Sequence, residues 1–254
     1  MKEWAEVFKN RMVLFTVAFL PLILTALPLI MLALSGGLEE EFAQEESMPD
    51  EFFGSMCLGL TELECTQVYT LNLFTLMFMI LPVAIPVTIA AYSIVGEKAA
   101  RSLEPLLATP ITTVELVVGK SVAAALPAIA ATWLSFAIYL VGARLMVNST
   151  VFERLADPLW FIAIFAVGPL LTIMAVNIAI MISSRVTDPR VAEQLSAVVI
   201  LPLIMLIIGQ SVGWILIDQQ LIIIIGIAVA LLDALLFYMS IKVFQRETIL
   251  TRWK

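Results

Sequence analysis

The chain has 254 residues, of which 61% are apolar and only 14% are charged, and its mean hydropathy is +1.04. This composition excludes an ordinary soluble domain, because too few polar residues remain to cover the surface of one. The formal net charge is −7, and we expect no nucleic-acid partner for so acidic a chain.

Six apolar runs of membrane-spanning length follow one another along the chain. About 20 apolar residues cross a bilayer core of about 30 Å. The runs cover residues 12–34, 71–95, 121–143, 159–182, 191–215 and 220–243. They predict an all-α membrane protein with six transmembrane helices and a single transmembrane domain over residues 1–254, which leaves no room for an ATPase domain.

The basic residues predict the orientation of these spans. Twelve of the fourteen Lys and Arg residues lie on one side, and only Arg144 and Arg154 lie on the other. Basic residues concentrate on the cytoplasmic side of membrane proteins. We therefore expect a multi-pass protein of the cell membrane with both termini in the cytoplasm.

Residues 1–11 precede the first span. Trp4, Val7 and Phe8 share one helical face, with polar residues around it. This pattern predicts an interfacial helix lying flat under the membrane lipid. The alternative is a simple cytoplasmic extension of the first span.

The external segment 35–70 is strongly acidic. It contains nine Asp and Glu residues and no Lys or Arg, which is typical either of a cation-attracting surface or of a solvated loop. We favour the solvated loop and expect no metal site, because the acids lack regular ligand spacing. The only cysteines, Cys57 and Cys65, also lie here, and in an oxidising compartment they predict a disulfide. A metal-binding pair is the lesser alternative.

The next two spans differ in character. The second span carries Pro82 and Pro86, which predict a bent or locally opened helix. The third span is rich in alanine, and small faces permit close helix contact in lipid, so we expect this span inside the bundle.

Residues 96–113 connect these two spans on the basic side. Leu103, Leu106 and Leu107 recur at the spacing of one helical face, with charged residues between them. Pro110 ends this predicted amphipathic helix, and the run from Thr112 to Glu115 offers the start of the next one. Such a helix lies on lipid, packs under its own bundle or docks into a soluble partner.

The interval carries a resemblance to a known family. Its sequence resembles the signature of ABC type-2 transporter permeases, in which a Glu-basic pair precedes a Leu-Glu, two leucines, Thr-Pro and a Gly-Lys. The matching residues are Glu97, Arg101, Ser102, Leu103, Glu104, Leu106, Leu107, Thr109, Pro110, Glu115, Leu116, Gly119 and Lys120.

The resemblance implies the permease subunit of an ABC exporter, with an exporter-type bundle and a dimer, here a homodimer. Residues 96–113 would be the coupling helix that contacts a separate cytosolic ATPase. Glu97, Arg101 and Glu104 would make polar contacts, and Leu103, Leu106 and Leu107 would fill the ATPase groove or anchor the helix. ATP and magnesium would then bind the partner, so we expect this chain to bind no cofactor and not to be an enzyme.

No ATP site of its own is apparent in the chain. Gly119-Lys120-Ser121 looks like part of a phosphate-binding loop, but Val114 occupies the position where that loop requires glycine. The absence of histidine, with no paired acids in the spans, also excludes a metalloprotease or a Ser-His hydrolase.

The fourth and fifth spans meet in a short basic loop. Arg185 and Arg190 there are typical of a positive-inside anchor. The residues that follow also resemble the family's junction between these spans: Ala192, Gln194, Leu195, Ser196 and Pro202. Polar residues and glycines from Gly209 to Gly213 predict a break or a re-entrant turn in the outer half of the fifth run.

Asp233 lies midway along the sixth apolar run. A carboxyl at bilayer depth is costly, so we expect it to be protonated or paired. It is a candidate for the transport path, or a neutral side chain hydrogen-bonded to a neighbouring helix. The alternative function is an ATP-independent proton- or sodium-coupled carrier that uses Asp233.

Overall fold

A computed structural model describes residues 11–35, 59–99, 112–212, 214 and 217–243. Their regular structure is entirely helical, and six helical stretches are long and apolar enough to cross a membrane. The predicted fold class is therefore confirmed for these residues. The predicted interfacial helix lies outside them, apart from Arg11.

The first three spans alternate with short connections. The first span is α1, Arg11–Ser35. The second comprises α2, Glu62–Met77, a 3₁₀ turn, Phe78–Ile80, and α3, Leu81–Ala99. The third is α4, Thr113–Met146.

The last three spans contain more interruptions. A short helix, α5, Ser149–Leu155, precedes the fourth span, which comprises α6, Pro158–Ile162, a π turn, Ala163–Val167, and α7, Gly168–Ser183. The fifth comprises α8, Pro189–Ser196, a 3₁₀ turn, Ala197–Ile200, and α9, Leu201–Ser211. The sixth is α10, Gln219–Val243.

The second span opens where its prolines predict. Pro82 has no N–H to donate to the carbonyl of Phe78, four residues earlier. The backbone N–H of Leu81 donates to that carbonyl instead, and this tighter pairing forms the 3₁₀ turn between α2 and α3. Pro86 is accommodated inside α3 without a further interruption.

The second and fourth spans form the centre of the bundle. In the most apolar part of the second span 72% of the residues are buried, and in that of the fourth span 50% are. The corresponding share is 17% in both the fifth and the sixth span. In lipid, helices associate through close packing and interhelical hydrogen bonds. The contact between α3 and α7 is the most extensive pairing of elements among the described residues.

The third span is less central than its alanines predict. Ala124, Ala125 and Ala128 are buried, but Ala130 is exposed on the opposite side of the helix. Only one face of α4 therefore packs in the bundle. Since the alanines lie around the whole helix, their number does not predict how many of its faces are covered.

The outer connections are more helical than expected. The second span begins at Glu62 rather than at residue 71, because Thr61 and Glu64 cap each other's backbone N–H groups. The connection after α4 contains α5 instead of a plain loop, since Val151 and Leu155 bury one face of that helix. Residues 36–58, which hold most of the acidic segment, lie outside the described residues.

Buried hydrogen bonds join the helices in the half of the bundle that is predicted to lie on the outer side. The Tyr139 hydroxyl donates to the Leu71 carbonyl at 2.9 Å, and Thr75 donates to the Tyr139 hydroxyl at 3.4 Å. The Trp160 indole N–H donates to Asn72 Oδ1 at 2.7 Å. Because polar groups away from water are costly without partners, these bonds fix α2 against α4 and α6.

The second helix of the fifth span, α9, has no break before its end. α9 continues through Gly209 and Gln210 and stops at Ser211, whose hydroxyl donates to the Ile207 carbonyl at 2.7 Å. The predicted break in the outer half is therefore displaced to the end of the helix. Of the following residues, positions 213, 215 and 216 lie outside the described part of the chain.

Candidate functional site

The structure describes both edges of the predicted coupling segment. α3 continues through Glu97 to Ala99, so the second span carries the chain into the loop as unbroken helix. Residues 100–111 lie outside the described residues. The coupling roles of all the predicted residues stay predictions: Glu97, Arg101, Leu103, Glu104, Leu106, Leu107 and Pro110.

A capping box begins the helix on the far side of this segment. Thr112 Oγ1 accepts the Glu115 backbone N–H at 3.2 Å, and Glu115 Oε2 accepts the Thr112 backbone N–H at 2.8 Å. These bonds satisfy N–H groups that have no partner within the helix. The predicted helix start is confirmed, and the segment returns to the bundle at a defined residue.

The inner end of the second span is joined to the start of the fifth. The buried Thr88 hydroxyl on α3 donates to Glu193 Oε1 on α8 at 2.7 Å. A hydrogen bond to an ionised group is stronger than a neutral one, and more so where water is excluded. This bond therefore fixes α8 at one position along α3.

Apolar contacts surround that hydrogen bond. Ala91 and Val95 of α3 pack against Ala192 of α8, and all three side chains are fully buried. Their small size lets the two helices approach closely. We call the set Thr88, Ala91, Tyr92, Val95, Arg190, Ala192 and Glu193 the α3–α8 junction.

Polar groups complete the junction at its exposed edge. Asp188 Oδ1 accepts the Arg190 backbone N–H at 2.8 Å and caps the start of α8. The Arg190 side chain hydrogen-bonds Tyr92, one turn before the predicted coupling segment. Arg190 therefore does more than anchor the chain on the basic side, since it connects α8 to the helix that enters the loop.

Sequence reasoning identified Ala192 and Arg190 but missed Thr88 and Glu193. Both missed residues are polar groups next to or within apolar runs, and such groups in lipid need partners. That requirement marks each residue as a candidate for an interhelical bond. It does not predict which of them pair.

Asp233 lies in the interior of the bundle on α10, which packs against α7. Neither of its carboxylate oxygens has a hydrogen-bond partner among the described residues. Asp233 therefore forms no hydrogen bond to a neighbouring helix within the described part of the chain. A part in the transport path remains a prediction.

Cys65 is buried in the first turns of α2 and is not a free thiol. Cys57 lies outside the described residues, so the pairing of the two cysteines stays a prediction. Within the described part of the chain, no group of three or more His, Cys, Asp or Glu side chains is placed to hold a metal ion.

Comparison with known families decides what kind of membrane protein this is. The model of the ABC-2 family transporter proteins matches residues 1–248. The chain belongs to the ABC-2 transporter family. Proteins of this family are components of membrane transport systems and are not themselves catalytic. No curated protein matches the chain.

Membership of the ABC-2 family gives the α3–α8 junction a context. The match extends over all six candidate spans and both edges of the predicted coupling segment. The junction lies at the base of that segment, where the second span enters it. A displacement of the segment would reach the fifth span through this junction.

Proposed function

We propose that this protein is the permease subunit of an ATP-driven exporter, whose ATP is hydrolysed by a separate cytosolic subunit. The family match over residues 1–248 carries the proposal. The ATPase binds residues 96–113, and two copies of the permease form the membrane path. ATP and magnesium are held by the ATPase.

The α3–α8 junction supports a route by which the ATPase moves the bundle. α3 enters the coupling segment directly, so a displacement of that segment is passed to α3. The Thr88–Glu193 hydrogen bond and the packing of Ala91, Val95 and Ala192 pass this displacement to α8. The second and fifth spans then move together, because packed interfaces shift between discrete arrangements rather than deform continuously.

The ATP-independent carrier is the weaker alternative. Secondary carriers usually contain several ionisable groups in the membrane and an internal repeat. Between residues 219 and 241 of the sixth span Asp233 is the single charged residue, and the fourth span contains none between residues 158 and 183. The family match also favours a partner ATPase over ion coupling alone.

The first test is purification of the permease from its native membrane in mild detergent at low salt. We expect a cytosolic ATPase to co-purify with the unaltered protein and to be lost with Glu97→Lys combined with Leu106→Asp. The charge reversal removes a predicted polar contact, and the aspartate disrupts the predicted apolar face.

The matched control is Glu153→Lys, which reverses an exposed charge on α5, at the other end of the spans. It should retain the ATPase. Absence of any ATPase from the unaltered protein would contradict the proposal. Equal loss from the control would show that the double variant acts through general charge effects and not through the coupling segment.

A further inference from the structure

Two polar side chains without partners lie on neighbouring helices in the interior of the bundle. Asn177 on α7 is fully buried, and neither its Oδ1 nor its Nδ2 atom has a hydrogen-bond partner among the described residues. Asp233 on α10 is 8% exposed, and both of its carboxylate oxygens lack partners in the same way. Leaving such groups unsatisfied away from water is strongly unfavourable.

The register of the two helices places these side chains at similar depths. A β-carbon built on Gly226 of α10 would lie 3.2 Å from Cγ2 of Val167, the last residue of the π turn before α7. The fourth and sixth spans run in the same direction, because the chain reverses its direction twice between them. With a rise of 1.5 Å per residue, Asp233 lies about 10 Å beyond this contact and Asn177 about 15 Å beyond it.

Ser240 extends the polar positions toward the end of α10. Its hydroxyl is fully buried and has no partner among the described residues. Ser240 follows Asp233 by seven residues and therefore lies on the same face of the helix, about 10 Å farther along it. Asn177 lies at a depth between these two residues.

Among the side chains that the structure describes, no cation neutralises Asp233. α10 packs against α7, the π turn, α4 and α6, and of these only α4 carries charged residues, which are Glu115, Lys120 and Arg144. None of the three forms an ion pair with Asp233. No described side chain therefore supplies a counter-charge to an ionised Asp233.

We propose that Asp233 and Asn177 bind a monovalent metal cation between α7 and α10. Carboxylate and amide oxygens are hard ligands that suit alkali and alkaline-earth cations. A single carboxylate is neutralised by one positive charge, whereas a divalent ion would leave an unpaired buried charge. Ser240 lies on the path that such an ion takes from the end of the sixth span nearest Val243.

The test measures the thermal stability of the full chain in lipid nanodiscs, with any subunits that co-purify. The probes are sodium chloride and potassium chloride, with choline chloride at equal ionic strength as the reference. At a cation concentration ten times the Kd, we expect the unfolding midpoint to rise by about 3 to 5 °C in at least one alkali salt. Radioactive sodium should bind at one ion per chain if sodium is the favoured ion.

Three variants decide the assignment. Asp233→Asn and Asn177→Leu conserve volume and should each abolish the cation-dependent shift, whereas Glu153→Gln removes an exposed carboxylate elsewhere and should retain it. If Asp233→Asn fails to fold, Asn177→Leu decides alone.

An equal midpoint in sodium, potassium and choline would overturn the proposal and show a protonated carboxyl in place of a cation site. A shift that survives in both interior variants would also overturn it. Because ATPase co-purification is measured separately, failure of the cation site leaves the exporter proposal standing.

Discussion

At the scale of single residues, the contact between Thr88 and Glu193 is the most informative one. It joins residues that are 105 positions apart, at the place where the second span leaves the bundle for the predicted coupling segment. A hydroxyl and a carboxylate at this depth have few other partners. The energy of the contact can therefore be measured against variants that remove one member at a time.

We predict a coupling energy of about 1 to 2 kcal/mol between Thr88→Val and Glu193→Ala in a double-mutant cycle of unfolding free energy. Hydrogen bonds to charged groups fall in this range. Thr132→Val is the control, because the Thr132 hydroxyl donates only to the Ala128 carbonyl of its own helix. Additive effects of the two junction variants would show that the contact is not formed in the membrane.

The residues of the junction also show how far sequence alone could go. The spans could be predicted because an apolar run of membrane length satisfies its backbone hydrogen bonds in lipid by forming an α-helix. The pairing of Thr88 with Glu193 could not, because hydropathy shows which residues enter the membrane and not which faces meet. The same limit applies to Asp233, whose burial follows from its position but whose neighbours do not.

At the scale of elements, two capping boxes of the same design begin two spans. Thr61 with Glu64 begins α2, and Thr112 with Glu115 begins α4. The first lies in the last part of the predicted external segment 35–70, and the second lies at the end of the predicted coupling segment 96–113. Comparing variants of the two capping boxes therefore separates an effect on helix stability from an effect on ATPase binding.

We predict that Thr61→Ala and Thr112→Ala each lower the unfolding free energy by about 1 kcal/mol, the usual cost of losing an N-cap. Only Thr112→Ala should also reduce the ATPase that co-purifies, because it loosens the return of the coupling segment to the bundle. Equal retention of ATPase by both variants would contradict a coupling role for this end of the segment.

At the scale of the whole molecule, the basic residues and the six candidate spans together predict opposite locations for Thr112 and Thr150. Both residues are exposed in the structure. Thr112 follows the coupling segment on the basic side, and Thr150 lies on α5 at the other end of the spans. Their accessibility therefore tests the orientation of the entire chain.

We predict that Thr150→Cys in intact cells reacts with a membrane-impermeant maleimide, and that Thr112→Cys reacts only after the cells are opened. Each side chain is on its expected side because an odd number of spans separates them. The parent protein, without either substitution, supplies the background signal. The reverse labelling pattern would overturn the predicted orientation.

The 3₁₀ turn at Phe78–Ile80 has a mechanical consequence for the most buried span. On one side of this turn, α2 forms hydrogen bonds with Tyr139 and Trp160. On the other side, α3 forms a hydrogen bond with Glu193. Between the two helices, Pro82 removes one backbone hydrogen bond, and this loss lowers the bending stiffness of the span there. Bending of the second span is therefore concentrated in this single turn, where a small rotation of α3 is absorbed before it reaches α2.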